Sequence, residues 1–262
     1  MNTATRISMQ DDDDFCAELV AQFAHQATQH RAVRHPYLRA LGAGTLPNLK
    51  WALVDFAEHY YGYSAHFPRY LTTVISRLEE PEHRAALLRN LTEESGSYEE
   101  HELQELETHG VQREWIEGVP HPVLFRRFCE AIGANLTQSE GNADQVIIWR
   151  EMLLNVLGHG TPAEAVGALG LGTEGIVREI YSPITRAIQR LSLPPRDTVF
   201  FPLHTVIDDD HQATLLSIAR SYARRAHADL RRGMLKALQL RSVFWDWLYA
   251  RALDPRRAQE VL

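Results

Sequence analysis

Two histidines and an aspartate near the end of the chain have a spacing that suits metal binding. His204, Asp208 and His211 occupy positions i, i+4 and i+7 of the segment HTVIDDDH. If this segment is helical, the three side chains share one face over two turns. Imidazole suits iron, zinc, copper and nickel, and the added carboxylate favours iron. Because the chain has 13 histidines in 262 residues, the alternative is a solvated helix face on which two histidines meet by chance.

A second pair of potential ligands, Glu94 and His101, lies in the first half of the chain. The two residues are seven positions apart and would share a helix face, with Tyr98 between them. Gly96 is a poor residue for the middle of such a helix, at a cost of roughly 1 kcal/mol. This choice indicates either a close backbone approach or a kink. The preference for Glu94 over Glu93 rests only on the spacing to His101.

A third group follows the glycines between residues 167 and 172. These glycines do not follow a strand, so they are not a dinucleotide-binding loop and indicate a helix break or a tight helix contact. Glu174, Arg178 and Tyr181 then stand at i, i+4 and i+7. Because they share a face with Glu174, Arg178 and Tyr181 are candidates for binding a substrate carboxylate or amine, and an arginine fork suits a carboxylate. The alternative for Arg178 is an ion pair with Glu179 or with another helix.

The elements that must position these residues are helices. Helical periodicity predicts one long helix from about residue 48 to 78, whose aromatic stripe is typical of a core. A second helix begins at Pro81 and includes Glu94 and His101. A third follows Pro194 and runs to about residue 240, and the segment 243–249 predicts a short amphipathic C-terminal helix. Strand signals and hairpin dipeptides are scarce, so the fold class is all-α, a bundle of about seven helices.

Composition excludes several classes of function. The net charge of −7 argues against a nucleic-acid partner. No apolar run reaches the length of a membrane span, and the first residues lack the apolar core of a signal peptide. The two cysteines, Cys16 and Cys129, do not form a disulfide framework. These observations predict a soluble, cytoplasmic protein without a membrane partner.

If the three groups of residues face one bundle interior, they supply an inventory for two metal ions. Carboxylates can bridge two cations, and imidazoles fix the position of each. Helix bundles often build such sites from facing helices. The ferritin-like arrangement is disfavoured because it needs two Glu-x-x-His motifs, and only residues 80–83 provide one. The predicted ligands are three carboxylates and three imidazoles: Glu94, His101, Glu174, His204, Asp208 and His211.

These residues resemble those of the haem-oxygenase-like diiron oxidases and oxygenases, a family related to thiaminase II and pyrroloquinoline-quinone synthase. The motif from Asn90 to His101 is similar to the family's third-helix motif, and the spacing from His204 to His211 matches the family's last motif. Glu174 stands where the family's middle glutamate is expected. The resemblance covers roughly residues 30–235, within a single domain spanning residues 1–262.

The resemblance implies a seven-helix haem-oxygenase-like bundle, usually a homodimer, with a short extra C-terminal helix. It further implies two Fe(II) ions that react with O2 as co-substrate through a peroxo-diferric intermediate. Glu94 and His101 would serve one iron, Asp208 and His211 chiefly the other, and Glu174 would bridge. Tyr98 would lie beside the metals, as a further candidate for contact with substrate.

The implied reaction is the oxidation of a small, amino-acid-derived substrate in specialised-metabolite biosynthesis, by N-oxygenation or by oxidative C–C cleavage or decarboxylation. Whether the reaction uses an external electron donor is left open. Two other functions remain: a thiaminase-like hydrolase of the same fold, which would need an activated cysteine, and a non-enzymatic iron-binding helical protein.

Overall fold

The computed structural model describes the chain over residues 3–136, 143–206 and 208–258. Side chains are described from Asp13 onward, except for those at 206–210 and those beyond Arg256. The described segments fold into an all-α bundle, as the sequence predicts.

The α-helices are given in chain order: α1 Thr3–Gln29, α2 Pro36–Ala43, α3 Leu49–Ser64, α4 Phe67–Arg77, α5 Pro81–Glu94, α6 Glu100–Thr108, α7 Arg113–Ile116, α8 His121–Ile132, α9 Asp144–His159, α10 Pro162–Val166, α11 Val177–Ile188, α12 Phe200–Val206, α13 Asp208–Ala252 and α14 Pro255–Ala258. A π-helical turn, Gly167–Leu171, and a 3-10 turn, Glu174–Ile176, connect α10 to α11. The described part of the chain therefore has more helices than the predicted seven, because several long helices are interrupted.

Local sequence explains where many helices begin. Proline occupies one of the first two positions of α2, α4, α5, α8 and α10, where its missing N–H leaves no hydrogen bond unmade. The Asn48 side chain caps α3 by accepting a hydrogen bond from the backbone N–H of Trp51 at 3.0 Å. The Thr161 hydroxyl caps α10 in the same way, through Glu164 N–H at 3.1 Å.

The predicted helix through Glu94 and His101 is interrupted, so the prediction that the two residues share one helix face is wrong. Helix α5 ends at Glu94, and α6 begins at Glu100. Gly96 between them has φ +89°, and an added Cβ would lie 2.5 Å from Val119 N. The close backbone approach expected at Gly96 is confirmed, and it turns the chain out of the helix.

The predicted helix over residues 48–78 is also divided, into α3 and α4. At the other end of the chain, the segment 243–249 is the last part of α13 rather than a separate helix. A kink at Ala226, with φ −145° and ψ 32°, divides α13 into two straight parts. Helix α13 packs against α1, α9, α10 and the π-helical turn, so it lies along the centre of the bundle.

The aromatic stripe of α3 lies in the core, as predicted. Phe56 and Tyr60 are buried and stack with ring centroids 4.9 Å apart. Tyr60 also stacks on Trp245 of α13, with an interplanar angle of 8°. None of the described helices combines the length and apolar character needed to cross a bilayer.

Two glycines allow α13 to cross very close to α10 and the π-helical turn. A Cβ added to Gly233 would lie 1.9 Å from Glu164 O, and one added to Gly167 would lie 2.0 Å from Leu230 O. Both contacts are with backbone atoms, which cannot move away as a flexible side chain would. The tight helix contact predicted from the glycines of residues 167–172 is therefore confirmed at Gly167.

We expect Gly233→Ala to lower the free energy of unfolding by about 3 kcal/mol, because the new methyl group forces two helices apart. Gly158→Ala is the matched control in α9, where the added Cβ would meet only Thr73 Cγ2 at 3.7 Å. That control should be neutral or stabilising by up to about 1 kcal/mol. Urea unfolding of both variants measures the difference, and equal stabilities would contradict the close crossing.

Candidate metal centre

Three side chains from three helices converge inside the bundle. Glu94 is the last residue of α5, His121 is the first residue of α8, and His204 lies in α12. Each offers one ligand atom, and these atoms all lie within 4.8 Å of one another. Separations of this size let three side chains contact a common ion after small movements. Glu94 and His121 are buried, and His204 is partly buried.

The hydrogen bonding of His204 prepares one ring nitrogen for a metal. His204 Nδ1 lies 2.7 Å from the carbonyl oxygen of Phe200, which can only accept, so Nδ1 carries the proton. Burial lowers the pKa of His204 to about 3, and repulsion from His121 acts in the same direction. The ring is therefore neutral, with a lone pair on Nε2. A backbone carbonyl that fixes the tautomer is typical of metal-binding histidines.

His121 is also held through one of its ring nitrogens. Its Nε2 is hydrogen bonded to the Tyr98 hydroxyl at 2.8 Å. Its Nδ1 lies 3.1 Å from Glu94 Oε2, but this buried nitrogen makes no well-directed hydrogen bond. Burial opposes ionisation of Glu94, but attraction to His121 outweighs it and lowers the pKa of Glu94 to about 2. An ionised carboxylate beside a nitrogen without a directed partner fits a cation site.

A second group of donors consists of Glu93 and His211. The Nε2 of buried His211 makes a short contact with Glu93 Oε2. Burial disfavours the charged ring, but the hydrogen bond and charge of Glu93 raise the pKa of His211 to about 9. The two side chains thus hold each other as an ion pair. Deprotonated His211 and Glu93 together would provide one imidazole and one carboxylate to a second ion.

Glu174 interacts electrostatically with members of both groups. It lies in the 3-10 turn before α11 and is buried. Burial raises the pKa of Glu174 to about 7, repulsion from Glu94 acts in the same direction, and His211 and Arg241 oppose the increase. This carboxyl group is therefore costly to ionise unless further positive charge comes close to it.

The first group of donors and Glu174 line one small cavity. Its volume is about 30 Å³, which is room for about two water molecules. Three of its lining residues are Glu94, His121 and His204, and Glu174 contributes a fourth ligand-type side chain. The remaining lining residues are mostly aromatic or apolar: Tyr60, Tyr63, Ser64, Phe67, Pro122, Thr173, Val177, Tyr181, Phe200 and Arg241.

The structure brings together four of the six predicted ligands: Glu94, Glu174, His204 and His211. His101 is not among them, because it is the second residue of α6 and its side chain is exposed. Asp208 lies on the first turn of α13, but its side chain is outside the described residues. Its role as a ligand stays a prediction.

Of the residues predicted to bind substrate, the structure places one at the cavity and two away from it. Tyr181 lines the cavity, and its hydroxyl lies 3.1 Å from that of Tyr60. Tyr98 contacts His121 rather than the cavity itself. Arg178 is exposed on α11. Glu174 lies in the 3-10 turn before that helix, and Ile176 between them has a non-helical φ of −131°, so the helical spacing that predicted a shared face does not apply. The structure therefore does not place Arg178 at the cavity.

Three residues of the site were not among the sequence-based candidates: Glu93, His121 and Arg241. In the sequence, Glu93 is only the alternative to Glu94. In the structure both carboxylates belong to the site, Glu94 beside His121 and Glu93 beside His211. His121 lies in the segment Pro120-His-Pro122, which reads as a helix break, so no periodic pattern marks it. Arg241 had one signal, since it is a lone charged residue in the apolar segment from Leu238 to Trp245.

Comparison with known families gives one match. The family described as iron-containing redox enzymes matches over residues 54–242, which include every described donor of the site. A comparison with curated proteins gave no match.

Several solved structures have the same fold. A CADD-like protein of unknown function from Nostoc punctiforme is 15% identical, with a TM-score of 0.73 over 91% of this chain and 99% of that one. A TenA homologue from Pseudomonas syringae is 13% identical, with a TM-score of 0.66 over 90% and 93%. A domain of unknown function with a haem-oxygenase-like fold from Shewanella denitrificans is 14% identical, with a TM-score of 0.64 over 96% and 94%. At these identities the similarity shows the fold alone, and the fold is haem-oxygenase-like.

The metal-free protein should reveal the cost of ionising Glu174. Its folded-state pKa is raised from 4.5 to about 7. The contribution of Glu174 to the free energy of unfolding is therefore fully present below pH 4.5 and is lost as the pH rises through 7. Glu174→Gln removes this titration. Relative to the unsubstituted protein, the variant should therefore gain about 3 kcal/mol between pH 4.5 and pH 8.

The matched control is Glu164→Gln in α10. Burial opposes ionisation of Glu164, but Lys236 and Arg232 outweigh it and lower its pKa, so this substitution should destabilise the protein at pH 8. Chemical unfolding of the metal-free variants at both pH values measures the two effects. A Glu174→Gln variant without pH-dependent gain would show that Glu174 is not forced toward the neutral form.

Proposed function

The chain belongs to the family of iron-containing redox enzymes, and on that premise we propose that it is an O2-dependent non-haem diiron oxidoreductase acting on a small organic substrate. The observation that carries this proposal is the convergence of two groups of carboxylate and imidazole donors on the same part of the bundle interior. Glu174 interacts with both groups. A single metal would leave the second group without a function.

In the proposed site, Glu94, His121 and His204 would hold one iron, and Glu93 and His211 would hold the other. Glu174 is the candidate for a bridging carboxylate. Asp208, predicted from its spacing to His204 and His211, is retained as a ligand of the second iron. Ferrous ions suit this mixture of carboxylates and neutral imidazoles.

Two bound ferrous ions would supply electrons to dioxygen and thereby an oxidant for N-oxygenation or for oxidative C–C cleavage of the substrate. The chain positions the donors and excludes water. The Phe200 carbonyl holds the tautomer of His204, and the Tyr98 hydroxyl orients His121. Aromatic rings line the rest of the cavity, so little water remains beside the reacting groups.

The predicted substrate is an amino-acid-derived molecule of a specialised-metabolite pathway, and an external electron donor would complete the reaction where the substrate does not supply enough electrons. The homodimer, which the family resemblance implies, and the cytoplasmic location, which the composition predicts, both stay predictions.

A thiaminase-like hydrolase of this fold would need a reactive cysteine at the cavity. Cys129 is buried, donates a hydrogen bond to Ala57 O at 3.5 Å and does not line the cavity. Burial raises the pKa of its thiol, which disfavours the thiolate form needed for nucleophilic attack. The environment of Cys129 therefore favours a structural role.

Anaerobic titration with Fe(II) tests the ligand set. The unsubstituted protein should bind about two irons per chain, and His121→Ala and His204→Ala should each lose about one of them. His101→Ala is the informative control, because the sequence pattern predicts loss of iron and the structure predicts full loading. Iron content, with circular dichroism as a check of folding, distinguishes the two expectations.

Exposure of the iron-loaded protein to air tests the chemistry. Consumption of oxygen and a transient visible absorption band are expected. Iron loading without oxygen consumption, for any amine or acid added, would instead indicate an iron-binding protein. Activity that needs no iron and is abolished by thiol alkylation would indicate the hydrolase.

A further inference from the structure

A buried arginine lines the cavity that the metal donors border. Arg241, in α13, is 1% exposed. Its Nη1 and Nη2 donate hydrogen bonds to the hydroxyls of Tyr60 and Tyr63, at 3.4 and 3.3 Å. Its buried Nε has no hydrogen-bond partner. In the described part of the chain, no carboxylate oxygen lies within 4.0 Å of this guanidinium.

Aromatic rings surround the same guanidinium. Its central carbon lies 5.2 Å from the ring centroid of Trp149 and 5.4 Å from that of Tyr63, and these two rings stack on each other at 3.7 Å. The rings stabilise a cation and hold it in one orientation. They accept no directed hydrogen bond from Nε. The site therefore holds a rigid positive charge with unused donor capacity.

A second arginine on the same helix shows what this chain does when such a group is structural. Arg251 also lies beside two tryptophan rings, with centroids at 4.9 and 5.7 Å. It is fully engaged by buried Asp55, with contacts between 2.5 and 3.1 Å. A buried cation without such a partner costs several kcal/mol. Arg241 is more deeply buried than Arg251, whose side chain is 31% exposed, and it also lies beside two aromatic rings, but it lacks the carboxylate.

We propose that the missing carboxylate comes from the substrate, and that Arg241 with the hydroxyls of Tyr60, Tyr63 and Tyr181 binds it. This inference rests on the proposed function, since it places the substrate in the cavity beside the metal donors. An arginine fork recognises the two oxygens of a carboxylate through parallel hydrogen bonds. Tyr60 and Tyr181, with hydroxyls 3.1 Å apart, complete the polar end of the cavity.

The surrounding charge selects a monoanion. Glu94 and Glu174 line the same cavity, so a doubly charged phosphate would meet strong repulsion from carboxylates at its other end. The cavity of about 30 Å³ has room for a carboxylate group, which is about the size of two water molecules. The substrate class is therefore a carboxylic acid.

Acetate and acetamide are suitable probes because they have nearly the same shape and differ in charge. Saturation-transfer NMR on the full-length, metal-free protein, at constant ionic strength, should show binding of acetate and not of acetamide. Arg241→Gln should weaken acetate binding by about 10- to 100-fold. Arg178→Gln, which removes an exposed arginine of α11, is the matched control and should leave acetate binding unchanged.

Arg241→Lys provides a second variant that keeps the positive charge and loses the fork, and it should bind acetate more weakly than the unsubstituted protein. Equal binding of acetate and acetamide, no binding of either, or full acetate binding by the Arg241 variants would overturn the proposal. These results are independent of the iron experiment. Loading with two irons without selective acetate binding would contradict the carboxylate site alone, whereas selective acetate binding without iron loading would contradict the diiron function alone.

Discussion

The structure depends on the cost of placing ionisable groups in an apolar interior. An ionised side chain loses its hydration on burial, and only a nearby opposite charge or directed hydrogen bonds offset that loss. The chain meets this requirement fully at Glu164, which contacts Lys236 at 2.5 Å and Arg232 at 3.3 Å. It does not meet it at Glu174 or at Arg241 Nε. These two incompletely compensated groups both line one cavity.

The rest of the fold brings these groups together. Gly233 and Gly167 allow α13 to approach α10 and the π-helical turn, and this approach places Arg241 beside the turn that carries Glu174. Gly96 ends α5 by turning the chain toward Val119, so Glu94 and His121 become neighbours although 27 positions separate them in the sequence. The glycines thus act on the site through the backbone, although none of them lines the cavity.

Periodicity within single segments predicted much of this molecule. The all-α class, the aromatic core of α3, and the inward position of Glu174, His204 and His211 follow from local sequence. The break after Glu94 did not follow from it. A glycine can be tolerated in a helix at a cost of roughly 1 kcal/mol, and only its contact with Val119, a tertiary feature, decides that the helix ends. His101 was therefore assigned to the wrong face. His121 and Arg241 depend on packing between distant segments, which spacing along the chain does not encode.

Groups of opposite charge line the cavity, and this constrains any molecule that binds there. Glu94 is ionised, whereas Arg241 stays positive, because nearby phenol oxygens raise its pKa despite burial. Binding of metal ions at the donors would stabilise ionised Glu174, whose attraction to Arg241 would then increase. Cation binding and carboxylate binding are therefore linked through Glu174. A substrate carboxylate would contact Arg241, and bound metal would compensate Glu174, so each of these two charges would gain an external partner.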